Sequence, residues 1–290
     1  MLTRRVWYRA AALAAVVCLV RPASAGAQQR PLATEDPESI GAGRVLLEGG
    51  YESGYDQFFP ASGLTGDLRR FPTLGLSVGI SSIAEIQVDG GLYQRLAVTS
   101  REAAPLSDLL DFSGDTTSSV EDLVLATKIR MAAETPGRPA FGLRFGTKLP
   151  LAPQETGLGL GTTDFFATLL MGKTVRSVRT VGNVGVAMLG NPFAGAERHS
   201  ALTMGVSVAR ALTNRLEIVG EVNGRAAPWG DDPPEGTESR GMLRFAARYT
   251  YKLLRLDAGM LVGMTPRDPD VGLSLGFTYV FNGFTVPPGP

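Results

Sequence analysis

The pattern that most constrains this chain is the strict alternation over residues 271–281, V-G-L-S-L-G-F-T-Y-V-F. Successive side chains of a β-strand point to opposite faces. Val271, Leu273, Leu275, Phe277, Tyr279 and Phe281 therefore share one face, and Gly272, Ser274, Gly276, Thr278 and Val280 share the other. The ribbon has an apolar side ending in two aromatics and a small, mostly polar side. About ten residues of this kind cross a bilayer as a tilted strand. A strand edge cannot stay unpaired in hydrocarbon, so other strands must close a barrel with this one.

The same alternation recurs at 44–51, 72–80, 84–93, 119–131, 140–148, 163–173, 180–189, 200–208, 215–224, 240–251 and 254–262. Only 163–173 leaves its faces open, because Phe165 and Phe166 are adjacent. The connections run long, then short, to the end of the chain, with 52–70 and 94–118 read as long polar loops. An up-and-down barrel with periplasmic termini predicts that rhythm, turns on one rim and loops on the other. The expected fold is thus all-β, a transmembrane antiparallel up-and-down β-barrel of about 12 strands over residues 44–281. Residues 282–290 form a C-terminal tail. A soluble β-sandwich, the alternative, accounts poorly for so many evenly spaced strands with arginines at period two opposite large apolar residues.

The N-terminus reads as an export signal. M-L-T-R-R-V-W-Y-R is basic, residues 10–20 are apolar, and A-S-A at 23–25 is a cleavage site. The apolar run is too short for a membrane helix, so residues 1–25 are expected to be a cleaved signal peptide. Cys18, the only cysteine, lies within that run, so the mature chain has no disulfide and no thiolate chemistry. Cleavage removes Arg4, Arg5, Arg9 and Arg21 and no acid, leaving 24 basic against 28 acidic side chains. That balance excludes a nucleic-acid partner. Residues 26–43, G-A-Q-Q-R-P-L-A-T-E-D-P-E-S-I-G-A-G, are polar and aperiodic, and read as a periplasmic lead-in.

Charges at alternate strand positions are the main constellation. Lys128, Arg130, Arg144, Lys148, Arg240, Arg244, Arg248 and Arg255 are basic. Glu48, Glu85, Asp89, Asp122, Glu217, Glu221 and Asp257 are acidic. An arginine facing lipid at the midplane costs about 2–4 kcal/mol, so all of these are expected in the lumen. Two roles are open to them there: an ion-pair network that fills a narrow barrel, or a charged constriction that selects solute. Glu217 and Glu221 are expected to face Arg244 and Arg248 across neighbouring strands.

Other motifs carry less. His199 could serve an outer-membrane lipid hydrolase, but Ser200 beside it points to the opposite face of a strand. Gly157, Gly159 and Gly161 lack the following helix and Lys-Ser/Thr of a phosphate loop, and read as a flexible external loop. Asp108, Asp111, Asp115, Asp231, Asp232, Glu235 and Glu238 have no calcium-loop spacing and read as a solvated face, with divalent bridging to lipopolysaccharide as the lesser alternative. No cofactor, metal or catalytic group is expected.

Two stretches carry a family resemblance. R-P-L-A-T-E-D-P-E-S-I-G-A-G-R at 30–44 resembles the opening of the MetA-pathway phenol-degradation family. K-L-P-L-A-P-Q-E-T-G-L-G-L-G-T-T-D-F at 148–165 resembles that family's central segment. The resemblance implies a bacterial outer-membrane β-barrel that transports hydrophobic or aromatic compounds. The expected function is a channel or transporter for small solutes, with a lipid hydrolase or a plugged structural or adhesive barrel as alternatives. Expected partners are outer-membrane lipid, lipopolysaccharide, the barrel-insertion machinery and a small-molecule solute.

Overall fold

The computed structural model describes residues 30–195, 197–227 and 233–285. The signal-peptide reading, Trp229, Asp231 and Asp232 lie outside the described residues. The strands are β1 (Arg44–Phe59), β2 (Leu64–Gly79), β3 (Ala84–Gly91), β4 (Gln94–Arg101), β5 (Thr116–Ser119), β6 (Leu123–Ala132) and β7 (Ala140–Leu149). They continue as β8 (Asp164–Val175), β9 (Val178–Gly190), β10 (Arg198–Ala211), β11 (Leu216–Ala226), β12 (Arg240–Tyr251), β13 (Leu254–Gly263) and β14 (Val271–Asn282).

Twelve antiparallel staves form the wall. β1 pairs with both β2 and β14, which closes the ring. β3 and β4 together pair with β2, and β5 and β6 together pair with β4 and β3, so each of these couples is one stave broken once. The break in the first couple lies opposite Phe71 and Pro72; proline has no N–H to give to a ladder there.

The two faces sort as the alternation predicts. On β14, Leu273, Leu275 and Tyr279 are exposed while Ser274 and Thr278 are buried. Exposed Met204, Val206 and Val208 of β10 and Val184, Val186 and Met188 of β9 extend the same apolar belt. Tyr279 and Phe281 stack with centroids 5.7 Å apart where β14 ends. Such a belt is stable against lipid and not against water. Leu275→Arg, near the middle of β14, should therefore cost about 2–4 kcal/mol of membrane folding. Unfolding titrations in lipid vesicles measure it, and a cost near zero would remove lipid from that face.

One rim carries the short connections and both ends of the barrel; Gly43 N–H donates to Gly79 O, and Gly283 N–H donates to Gly43 O. By the rule for outer-membrane barrels this is the periplasmic rim. The other rim differs from expectation in three places. Residues 52–70 are not a loop: β1 and β2 each run for 16 residues and meet at 60–63. Their outer halves mix polar and apolar residues on both faces, which hides the period of two. Residues 94–118 likewise contain β4 and β5. The glycine stretch at 157–161 is packed rather than loose: Ser62 Oγ donates to Gly157 O at 2.8 Å, and a Cβ on Gly157 would meet Leu64 Cδ1 at 2.5 Å. On β8, Phe165 faces out and Phe166 in, opposite inward Gly146.

The segment read as a periplasmic lead-in shows the largest departure. Residues 30–40 run inside the wall. Leu32 is buried against Ala209 and Val219, and Ile40 against Leu46 and Val280. The segment lacks periodicity because it belongs to no sheet. Gly41 and Gly43, both at positive φ, turn it into β1.

Candidate functional site: the occupied lumen

An irregular segment crossing an enclosed space brings backbone N–H and C=O groups that need partners. The wall charges supply them. Glu221 accepts from the Ala33 and Thr34 N–H groups at 3.0 and 2.6 Å. Glu85 accepts from the Ile40 N–H at 2.7 Å, and Glu48 from the Arg30 N–H at 3.3 Å. Arg248 and Arg255 each donate to Arg30 O at 3.1 Å, and Arg244 donates to Pro31 O at 3.3 Å. Asn183 closes a two-way pair with Glu35, donating at 2.8 Å and accepting at 2.7 Å.

Side chains of the segment add a second set of bonds. Lys128 is 1% exposed and lies 3.1 Å from Glu35 and 3.0 Å from Glu85. Arg179 grips Asp36 through two bonds of 2.7 Å and also contacts Glu134 at 2.7 Å. Burial opposes ionisation of Glu134, in the turn after β6, but the Thr174 N–H and Arg179 outweigh it and hold its carboxyl below the usual range. Arg130 pairs with Glu38 at 2.7 Å. The Arg30 guanidinium donates to Thr73 Oγ1 and Leu275 O.

Close approach requires glycine at several inward positions. A Cβ on Gly276 would stand 2.5 Å from Arg30 Nε, and on Gly205 3.0 Å from Thr34 Oγ1. On Gly142 and Gly172 it would meet Pro37 at 3.3 and 3.0 Å. The wall is thus cut to the shape of this segment.

The remaining charges pair along the wall. Arg144 reaches Asp89 at 3.2 Å, and Lys148 reaches Asp122 and Asp164 at 3.3 and 2.8 Å. Glu217 and Glu221 stand directly opposite Arg248 and Arg244. Arg244 also pairs with Glu52, which in turn contacts Arg70. Asp257 lies 3.9 Å from Arg30. Arg240 stands opposite Arg225 at the loop rim. None of the predicted charged positions is exposed. Sequence reasoning missed Arg30, Glu35, Asp36, Glu38, Glu52, Gln87, Arg179 and Asn183. For Arg30, Glu35, Asp36 and Glu38 the clue was the charge density of an aperiodic stretch directly before a charged wall.

Two cavities border the segment. One, of about 420 Å³, is lined by Arg30, Glu52, Arg70, Asp89, Glu121 and Arg244 among others. The other, of about 200 Å³, lies against Glu35, Leu170, Asn183 and Asn223. Ala33, Arg144 and Phe166 border both. His199 and Ser200 are neighbours on β10 and face opposite sides, so they form no catalytic pair. Among the described residues, no cluster of three His, Cys, Asp or Glu side chains could hold a metal.

Among solved structures, the chain resembles the COG4313 outer membrane channel from Pseudomonas putida F1. The TM-score is 0.62 and the identity 13%, over 85% of this chain and 98% of that one. The fold is that of an outer-membrane β-barrel. Weaker likenesses are the translocator domain of the autotransporter NalP from Neisseria meningitidis (TM-score 0.46, 12% identity, 82% and 88% covered) and the CymD monoaromatic hydrocarbon channel (0.43, 10%, 91% and 95%). No family model and no curated protein matches the chain.

Proposed function

We propose that this protein is an outer-membrane channel for small solutes, closed in the present state by its own residues 30–40. The observation that carries the reading is the fit of that segment. It is held by wall side chains through its backbone and lies in a glycine-cut bed, with two cavities against it. The wall charges then work by holding the segment first, and meet solute once it moves. The resemblance of residues 30–44 and 148–165 to the MetA-pathway family, and the fold shared with the COG4313 outer membrane channel, support a transport role. Hydrophobic or aromatic solutes are the class that the family resemblance implies.

Deletion of residues 30–40 tests the channel directly. In planar bilayers the shortened protein should show stable conductance steps several-fold larger than the full chain. Liposomes carrying it should swell faster in small sugars. A shortened barrel that folds, inserts and passes no current would leave the plugged structural barrel as the better reading.

A further inference from the structure

Glu35 differs from the other acids of the lumen segment. Its carboxylate is buried, at 5% exposure, and enters a cluster already assembled on the wall. Oε2 lies 3.1 Å from Lys128 Nζ, and Oε1 accepts from Gln87 Nε2 at 3.1 Å and lies 3.7 Å from Arg144 Nε. Gln87 Oε1 accepts from Arg144 Nε at 2.7 Å, so these wall groups are fixed on each other. They surround the carboxylate from β3, β6 and β7 together.

Glu35 and Arg144 of this cluster also border the smaller cavity. Phe166 and Leu170 give that cavity an apolar side, and among the described residues Phe166 is the only aromatic lining either cavity. A water's share of liquid is about 30 Å³, so about 200 Å³ is the size of six or seven waters, the class of a one-ring molecule. A carboxylate-binding cluster beside an aromatic-walled void of that size is the outline of a ligand site.

We propose that Glu35 is a built-in stand-in for the carboxylate of the solute, and that the solute is a small aromatic monocarboxylate. Its carboxylate takes the place of Glu35 on Lys128, Gln87 and Arg144, and its ring lies against Phe166 and Leu170. The charges balance under this exchange. Lys128 and Arg144 face Glu35, Glu85 and Asp89, and swapping one carboxylate for another leaves that count unchanged. A neutral ring in the same place leaves Lys128 with one acid fewer. Binding of the acid is therefore coupled to release of the segment. The proposal rests on the reading of the protein as a solute channel and names the solute class.

The test is calorimetric titration of the full-length protein in detergent with benzoate and with benzyl alcohol, its neutral counterpart. Wild type should bind benzoate and not benzyl alcohol. Glu35→Ala should bind benzoate at least about tenfold more tightly, because the internal competitor is gone. Adding Arg144→Gln should reverse that gain, and Phe166→Ala should weaken benzoate while leaving acetate unchanged. The slower or faster gel migration of unheated samples shows which variants are folded, and Phe166→Ala decides the matter if Arg144→Gln does not fold. Glu35→Ala binding benzoate no better than wild type would overturn the proposal. So would an equal gain for benzyl alcohol, which marks simple filling of a void. Bilayer conductance is independent of this reading: a barrel that never conducts removes the channel, while the titration still reports the site.

Discussion

Lys128→Met is expected to hold the channel open. Lys128 is the most buried cation among the described residues of the lumen, and it is shared by Glu35 on the segment and Glu85 on the wall. Methionine keeps the shape of the side chain and removes the charge. Removing one partner from a buried ion pair costs about 3–5 kcal/mol, because the other charge stays buried without compensation. Glu85 cannot leave, since it is part of β3, and it keeps the bond from Gln87 on the same strand. Glu35 can leave, with the segment. The cost therefore falls on the plugged state. At 1.4 kcal/mol per factor of ten, the ratio of plugged to open molecules should drop by about 10² to 4 × 10³. Single-channel records of Lys128→Met should then resemble those of the 30–40 deletion. Adding Glu35→Gln should restore part of the closure. Traces of Lys128→Met that match wild type would show that the segment is held elsewhere.

Gly276→Leu should open the channel by another route and leave the ion pairs of Glu35, Asp36 and Glu38 untouched. Arg30 Nε lies 2.5 Å from where a Cβ on Gly276 would stand. The clash is with the far end of a flexible side chain, so the barrel can fold while the guanidinium loses its seat. Its bonds to Thr73 Oγ1 and Leu275 O go with it. Net bonds to a charged group contribute about 1.5–3 kcal/mol each, so losing two should raise the open fraction at least about tenfold. Gly220→Ala provides the control. Its Cβ would meet only Phe245 and a backbone oxygen at 3.7–4.0 Å, and its conductance should stay at the wild-type level. Equal opening in both variants would mean that altered strands, not the seat of Arg30, govern the effect.

Strand positions were legible because each strand declares its own two faces. Residues 240–251 show this best: arginines on one parity and Leu243, Phe245 and Tyr249 on the other place the charges inside without any neighbour. The pairing of Glu217 with Arg248 followed from the next strand alone. Residues 52–59 and 64–70 were not legible, because those halves of β1 and β2 carry polar residues on both faces. Phe166 needed the β7–β8 register to separate it from Phe165. The segment at 30–40 has no period to read. Its partners come from β1, β2, β3, β6, β7, β9, β11, β12, β13 and β14, ten separate stretches of sequence, and only the closed ring brings them together.

The segment enters from the periplasmic rim and stays covalently joined to β1 at Gly41 and Gly43. In the proposed channel, that leash makes closure a unimolecular event. A released segment remains at an effective concentration of about millimolar beside its own seat, whatever the abundance of the protein in the membrane. Closure therefore needs no second molecule and cannot be diluted away. A free peptide of the same sequence, added to the shortened barrel from the periplasmic side, has to reach about that millimolar level to restore the closed state.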